Sequence, residues 1–445
     1  MVFSRFFKQR EPAAAEPAPS DVAGDEDVPD ELAEAAAAAT AADEPDADWA
    51  SRAARLLPSG ASTGSKRQEG LYGDAECGPT HFQRAAGCRL VTAEGETLVD
   101  CTMALGAVAI GYAEPELTRA VIEAAAAGHV AGLSHTLEVE LAERFCNVVP
   151  CAERVQFLKT GAEAVAATVR LARAYTGRDV VIGCGYFGWH DWCSSARGVP
   201  AAVSRDYRPV AFDDIAALER AVAAAGTGSQ LAAIVLEPVI ERLPSEQWIS
   251  RARELCDEHG AVLVFDEIKT GFRLATGGYQ QYSGITPDLA AFGKAMANGF
   301  PLSAVCGRAD LMDCARETWI SSTLAGEATA LAAAAAVLDW HRSVDVCEKL
   351  ASIGKDMRDV VATALTASGV AGVTIEGIDP MWFLRFDSPG LESRFLAAAA
   401  RHGALFKRGP YNFASLAHDD DAMRIIEAAA SNAFVEIQDE PAAEA

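Results

Sequence analysis

The chain is short of basic residues: 38 Lys and Arg against 63 Asp and Glu leave a formal charge of −25 over 445 residues. That deficit argues against nucleic acid and anionic membranes as partners, since both require a cationic face. No apolar run reaches membrane-spanning length, and the first residues, MVFSRFFKQREP, lack the apolar core of a signal peptide. None of the eleven cysteines forms a CxxC pair or joins a Cys/His cluster at zinc spacing; the closest two are Cys146 and Cys151. Scattered thiols of this kind suit a cytoplasmic protein with buried free cysteines and no bound metal. Bulky apolar residues at a regular period are missing from residues 11–48, which are nearly all Ala, Pro, Asp and Glu. The stretch 1–48 is therefore expected to be a disordered acidic tail, unable to bury enough surface to offset the entropy of ordering. Within it, Phe3, Phe6 and Phe7 lie among Arg5, Lys8 and Arg10, either as a docking peptide or as a frayed terminus.

From Trp49 onward the pattern is globular, and with 50% hydrophobic residues the chain can bury a large core and divide into two lobes. Arg89 to Cys101 alternates around Glu94-Gly95-Glu96, as a β-hairpin does. Strands are expected at Val155–Leu158, Val180–Cys184, Leu231–Leu236, Ala261–Phe265 and Leu289–Phe292. Helical periodicity covers Glu116–Ala127, Leu137–Val148, Ala162–Tyr175 and Ile249–His259, with an Ala-rich helix from Leu331 to His341. This alternation predicts an α/β fold with a mainly parallel sheet covered by helices on both faces. The expected division is an N-terminal segment of a smaller α+β lobe over 49–112 and a large lobe over 113–335. The remainder of the small lobe follows over 336–436, with a frayed end at 437–445.

Residues 261–300 carry the chemistry. The buried strand Ala261–Phe265 ends in Asp266-Glu267, and the next apolar run, Leu289–Phe292, ends at Gly293-Lys294. An acid past one strand and a lysine past another meet in the crevice where open α/β sheets bind ligands. A lysine among apolar residues loses hydration, so its neutral amine is favoured and can attack a carbonyl. The same spacing also suits a buried acid and a snorkelling lysine that never meet. Leu158-Lys159-Thr160-Gly161-Ala162 places a glycine where a strand becomes a helix, which makes either a phosphate seat or an ordinary turn.

The wording of these segments settles on a family. Asp266-Glu267-Ile268-Lys269-Thr270-Gly271-Phe272-Arg273 and Phe292-Gly293-Lys294-Ala295-Met296-Ala297-Asn298-Gly299 closely resemble the class III aminotransferases. Within these, the glutamate-1-semialdehyde aminomutase branch is the most similar, from about Leu57 to about Ala430. The resemblance implies fold type I and pyridoxal 5′-phosphate (PLP) as cofactor. It implies that Lys294 forms the Schiff base and Asp266 keeps the pyridine nitrogen protonated. Tyr186 would stack on one ring face and Ile268 would cover the other; Gly161 and Ala162 would seat the phosphate, with Ala162 lacking the family's usual hydroxyl. Glu237 would contact the cofactor region or a gating arginine. Thr323 would reach the phosphate across a homodimer interface, although Glu327-Ala328 stands where relatives often have Asn-Pro and makes the local turn less secure. Ser62 and Lys66 match the segment that supplies a serine and an arginine to the substrate carboxylate in the aminomutase branch, a lysine being a point charge without the arginine fork. His135, His190 and Lys407 are further candidates for the substrate pocket, each also explicable as structure.

The chemistry expected is transfer of an amino group between a small-molecule amino donor and the carbonyl of a small or specialised metabolite. Two alternatives stand beside it. One is the intramolecular transfer of a 2,1-aminomutase. The other is a non-catalytic scaffold of the same fold acting through its acidic tail.

Overall fold

Strands that are apolar on both faces have to be covered on both sides, and that requirement organises the molecule. The computed structural model describes residues 48–73, 78–226 and 230–439. The expectations for residues 1–47 and 440–445 lie outside them. A seven-stranded sheet runs, in spatial order, Arg154–Leu158, Ser303–Gly307, Leu289–Phe292, Val262–Asp266, Leu231–Leu236, Val180–Cys184 and Tyr207–Pro209. All pairs are parallel except those of Ser303–Gly307, which is antiparallel to both neighbours, a reversal that the strand pattern does not announce.

Side chains alternate between the two faces of the central strand. Val262 and Val264 join the apolar cluster that contains Val165 and Leu171 of the helix Gly161–Thr176. Leu263 and Phe265 join the larger cluster with Trp248 and Ile249 of the helix Glu246–His259. All six residues of Leu231–Leu236 are buried, as expected of a strand at the centre of such a sheet.

The smaller lobe takes segments from both ends of the described chain. The expected hairpin forms as Arg89–Thr92 paired with Thr97–Asp100. Its second strand is continued in parallel by Ala404–Leu405. A three-stranded sheet of Val373–Ile378, Met381–Phe386 and Asn412–Phe413 packs against the helices Val346–Ser368 and Pro389–Arg401, which in turn pack on the helix Asp420–Asp439. The Ala-rich helix spans Ala328–Ser343, three residues earlier than its periodicity suggests, because Glu327 caps it and accepts from the N–H groups of Thr329 and Ala330. Glu327 therefore secures the turn that its departure from the family pattern was expected to weaken.

Parallel strands place their C-terminal ends along one edge of the sheet, and the start of the reversed strand joins that edge through the pairing of Ser303 with Leu158. Leu158, Cys184, Leu236, Asp266 and Phe292 all end there, and the loops that follow them build one site.

Candidate active site

The first of these loops leads into the helix Gly161–Thr176. Thr160 caps it: its hydroxyl accepts from Glu163 N at 3.2 Å, and the Glu163 carboxylate accepts from Thr160 N at 2.8 Å. The N–H groups of Gly161 and Ala162 have no partner among the described residues and sit at the positive end of a 16-residue helix. Close packing holds this turn against its neighbours. A Cβ on Gly161 would lie 2.5 Å from Ile268 Cδ1, and one on Gly188 would lie 2.4 Å from Ala162 Cβ.

Asp266 closes the central strand and is 4% exposed. One carboxyl oxygen accepts from Ile268 N at 3.1 Å. Burial, reinforced by the nearby Glu237, pushes its carboxyl up to about 8. Glu237 follows the adjacent strand and accepts from Tyr186 N at 3.0 Å and from Lys269 Nζ at 2.6 Å. Lys269 also donates to the Tyr411 hydroxyl at 3.1 Å. Burial acts to lower its pKa, but Glu237 and Tyr411 outweigh that and hold the ammonium above its ordinary range.

Lys294 is different, since its amine has no hydrogen-bond partner among the described residues. Burial first, and then the charge of Lys269, lower its pKa and favour the neutral amine. Its backbone adopts φ +48°, a left-handed conformation costing about 1–3 kcal/mol for a residue other than glycine. The short turn that it opens is anchored at its far end. Asn298, also left-handed at φ +46°, accepts from Ala109 N and Ile110 N at 3.0 and 2.9 Å and donates to Gly111 O at 2.9 Å. Behind this turn the buried Glu267 accepts from the Thr270 hydroxyl, from Tyr279 N at 2.7 Å and from Gln280 N at 3.0 Å, which fixes the glycine-rich loop.

A cleft of about 410 Å³ unites Gly161, Ala162, Tyr186, Glu237, Asp266, Ile268 and Lys294. Tyr186 and Trp189 form its open side, 77% and 76% exposed. The other sequence candidates lie outside this cleft. Thr323 is on the surface. Ser62 and Lys66 are exposed, and Lys66 borders a separate depression of about 190 Å³. His135 is committed as the cap of the helix Thr136–Val148 through its Nδ1. His190 packs edge-on against Trp189 at 5.2 Å and faces a different depression beside Trp319. Lys407 turns its ammonium to the carbonyl of Arg408. Lys269, Tyr411 and the pair Lys159–Glu327 are additions that the sequence reading did not assign. A lysine three residues past the strand-end acid was the one available signal for Lys269.

These residues fit PLP. Two unpartnered amides at a helix N-terminus suit a phosphate, the buried Asp266 suits a ring N–H, and a desolvated amine without a partner suits an aldehyde. When bound, PLP supplies a carbonyl that condenses with amines and a ring that accepts the electron pair left on the substrate carbon.

The comparisons agree. The pattern of aminotransferase class III matches residues 73–413. A 2′-deamino-2′-hydroxyneamine transaminase of Streptomyces kanamyceticus is 35% identical over 86% of this chain and 97% of its own. A glutamate-1-semialdehyde 2,1-aminomutase of Neisseria meningitidis is 33% identical over 75% of this chain and 82% of its own. Among solved structures, the FumI protein of Sphingopyxis sp. MTA144, determined with PLP, superposes with a TM-score of 0.83. It is 28% identical and covers 88% of this chain and 96% of its own. An omega-transaminase from Sphaerobacter thermophilus gives 0.78 at 25% identity, over 89% and 99%. The chain belongs to the class III aminotransferases, PLP-dependent enzymes of fold type I that act on an amino donor and a keto acceptor.

Proposed function

We propose that this enzyme is an intermolecular aminotransferase, carrying an amino group from a donor to the carbonyl of a small or specialised metabolite, as a cytoplasmic homodimer. The observation that carries this reading is the commitment of the cleft's cations. No arginine lines the cleft among the described residues, Lys159 is paired with Glu327, and Lys269 is paired with Glu237. Lys66, matched to the carboxylate-binding arginine of the aminomutase branch, is at a separate depression. An acceptor without a carboxylate suits this cleft better than glutamate semialdehyde, and the relative at 35% identity is itself named a transaminase.

In this reading Gly161 and Ala162 hold the phosphate while Ile268 and Tyr186 enclose the ring. Asp266 keeps one carboxyl oxygen free of partners among the described residues, and beside a ring N–H it ionises and holds that proton in place. Lys294 would hold the cofactor through its amine, and when an incoming amine frees it, that amine is placed to take the proton from the substrate carbon and deliver it to the carbon on the far side of the substrate nitrogen. The homodimer is supported by large apolar side chains left on the surface, among them Trp319 at 89%, Leu133 at 87% and Leu324 at 50% exposed. Thr323 lies between two of them in sequence, and in this reading reaches the phosphate seat of a second copy.

The aminomutase is the second reading, favoured by the 33% identity to an enzyme of that name. Because the chain is an enzyme by family, the scaffold alternative is set aside. Absorbance of the loaded enzyme separates the other two. An aminotransferase bleaches its visible band with one amino donor and stops until a keto acceptor is added. Sustained turnover of an amino-aldehyde with no acceptor present would overturn the proposal in favour of the mutase.

A further inference from the structure

A phosphate group carries about −1.5 to −2 charges, yet the seat at Gly161 and Ala162 offers two neutral amides and, at Ala162, no hydroxyl. A lysine just past the end of the preceding strand is within reach to compensate. Lys159 lies two residues before Gly161 and lines the same cleft. Two residues of chain span at most about 7 Å, so the four-carbon stem of Lys159 can bring its ammonium to the seat. That ammonium is 2.8 Å from Glu327 Oε1, with both side chains largely withdrawn from solvent, at 15% and 10% exposure.

The two members of the pair differ in how much each needs the other. Glu327 has donors of its own: Thr329 N at 2.9 Å, Ala330 N at 3.0 Å and the Thr329 hydroxyl. It also sits at the N-terminus of the helix Ala328–Ser343, where a negative charge is favoured. Lys159 Nζ has Glu327 as its one hydrogen-bond partner among the described residues. Glu327 can therefore release the lysine and stay satisfied, whereas Lys159 gains by meeting a dianion instead of a single carboxylate.

We propose that Lys159 is a phosphate-binding residue of the cofactor seat, parked on Glu327 and transferred to the phosphate when PLP enters. This rests on the assignment of the cleft to PLP. The lysine then supplies the charge that replaces the missing hydroxyl of Ala162, and Glu327 sets how readily that charge is released.

The test uses full-length protein stripped of cofactor, with affinities for PLP and for pyridoxal, which lacks the phosphate, measured by equilibrium dialysis. Inorganic phosphate serves as competitor. Lys159→Met should weaken PLP binding by about tenfold or more, the worth of one charge-assisted hydrogen bond, and blunt competition by phosphate. Its affinity for pyridoxal should stay within about twofold. Glu327→Gln should have the opposite sign and tighten PLP a few-fold, because it frees the ammonium and removes a negative charge from the neighbourhood. Equal losses for PLP and pyridoxal in Lys159→Met would overturn the proposal. So would a Glu327→Gln variant that weakens PLP as much as Lys159→Met, because a purely structural ion pair suffers alike from either side. If Lys159→Met does not fold, the sign of the Glu327→Gln effect decides alone. Wild-type protein that binds neither compound would overturn the cofactor assignment, and this inference with it.

Discussion

Replacing Asp266 by Asn should make the cofactor-free protein more stable at alkaline pH, although the same change disables the enzyme. Asp266 is 4% exposed with one backbone N–H on its carboxyl, and burial with Glu237 nearby moves that carboxyl from an ordinary 3.8 to about 8. Between those two values the native protein keeps a proton that the unfolded chain has released. Raising the pH from about 4 to about 8 therefore favours unfolding, and above about 8 the effect is constant. The gap is about four pH units, and at about 1.4 kcal/mol each it sets a ceiling near 6 kcal/mol. Coupling to Glu237 and relaxation around the charge make about 3 kcal/mol the working figure. Asn has nearly the same shape and no charge at any pH, so its variant escapes the cost. Thermal unfolding of the two cofactor-free proteins should coincide near pH 4 and separate by roughly 3–6 °C at pH 8, the Asp266→Asn variant being the more stable, taking about 1–2 °C per kcal/mol for a chain of this length. Bound PLP should reverse the order, because a ring N–H stabilises the ionised acid. Parallel melting curves of the two cofactor-free proteins from pH 4 to 8 would refute the reasoning.

Three further outcomes follow from the same geometry. Lys294→Ala should abolish turnover and the visible absorption band of the loaded enzyme while PLP still binds reversibly, as followed by absorbance and dialysis. Gly161→Ala should lower the melting temperature, since its Cβ falls 2.5 Å from Ile268 Cδ1 and overpacking costs about 1–3 kcal/mol; Ile268→Ala in the same chain should restore part of the stability. Glu267→Gln should lower the melting temperature, with a cost of about 2–3 kcal/mol, because it exchanges a buried acceptor of several N–H and O–H groups for an amide that can accept fewer.

Those residues that belong to continuous local patterns were legible in the sequence. Asp266 and Lys294 end apolar runs of strand length, and Gly161 falls where a strand period gives way to a helix period, so each could be set on the sheet edge from the sequence alone. Partnerships between distant segments were not legible. Lys159 and Glu327 are 168 residues apart, and Lys269 and Tyr411 are 142 apart; a charged residue shows its partner only when the chain has been folded around it. The reversed strand Ser303–Gly307 was hidden for a similar reason, because an apolar run carries no direction. Ser62, Lys66, His135, His190 and Lys407 show a third limit. Resemblance to a motif singled out Ser62 and Lys66, and residue type and position singled out the other three, but local demands act on their side chains: His135 caps a helix and Lys407 meets a neighbouring carbonyl.

The pairing of Thr97–Asp100 with Ala404–Leu405 has a bearing on biosynthesis. The hairpin leaves the ribosome about 300 residues before the strand that completes its sheet, which at about 5–20 residues per second is an interval of roughly 15–60 s. Throughout it, one edge of that sheet has unpaired N–H and C=O groups open to any other strand in the cell. A message truncated before codon 404 would therefore yield a polypeptide in which that edge stays open permanently.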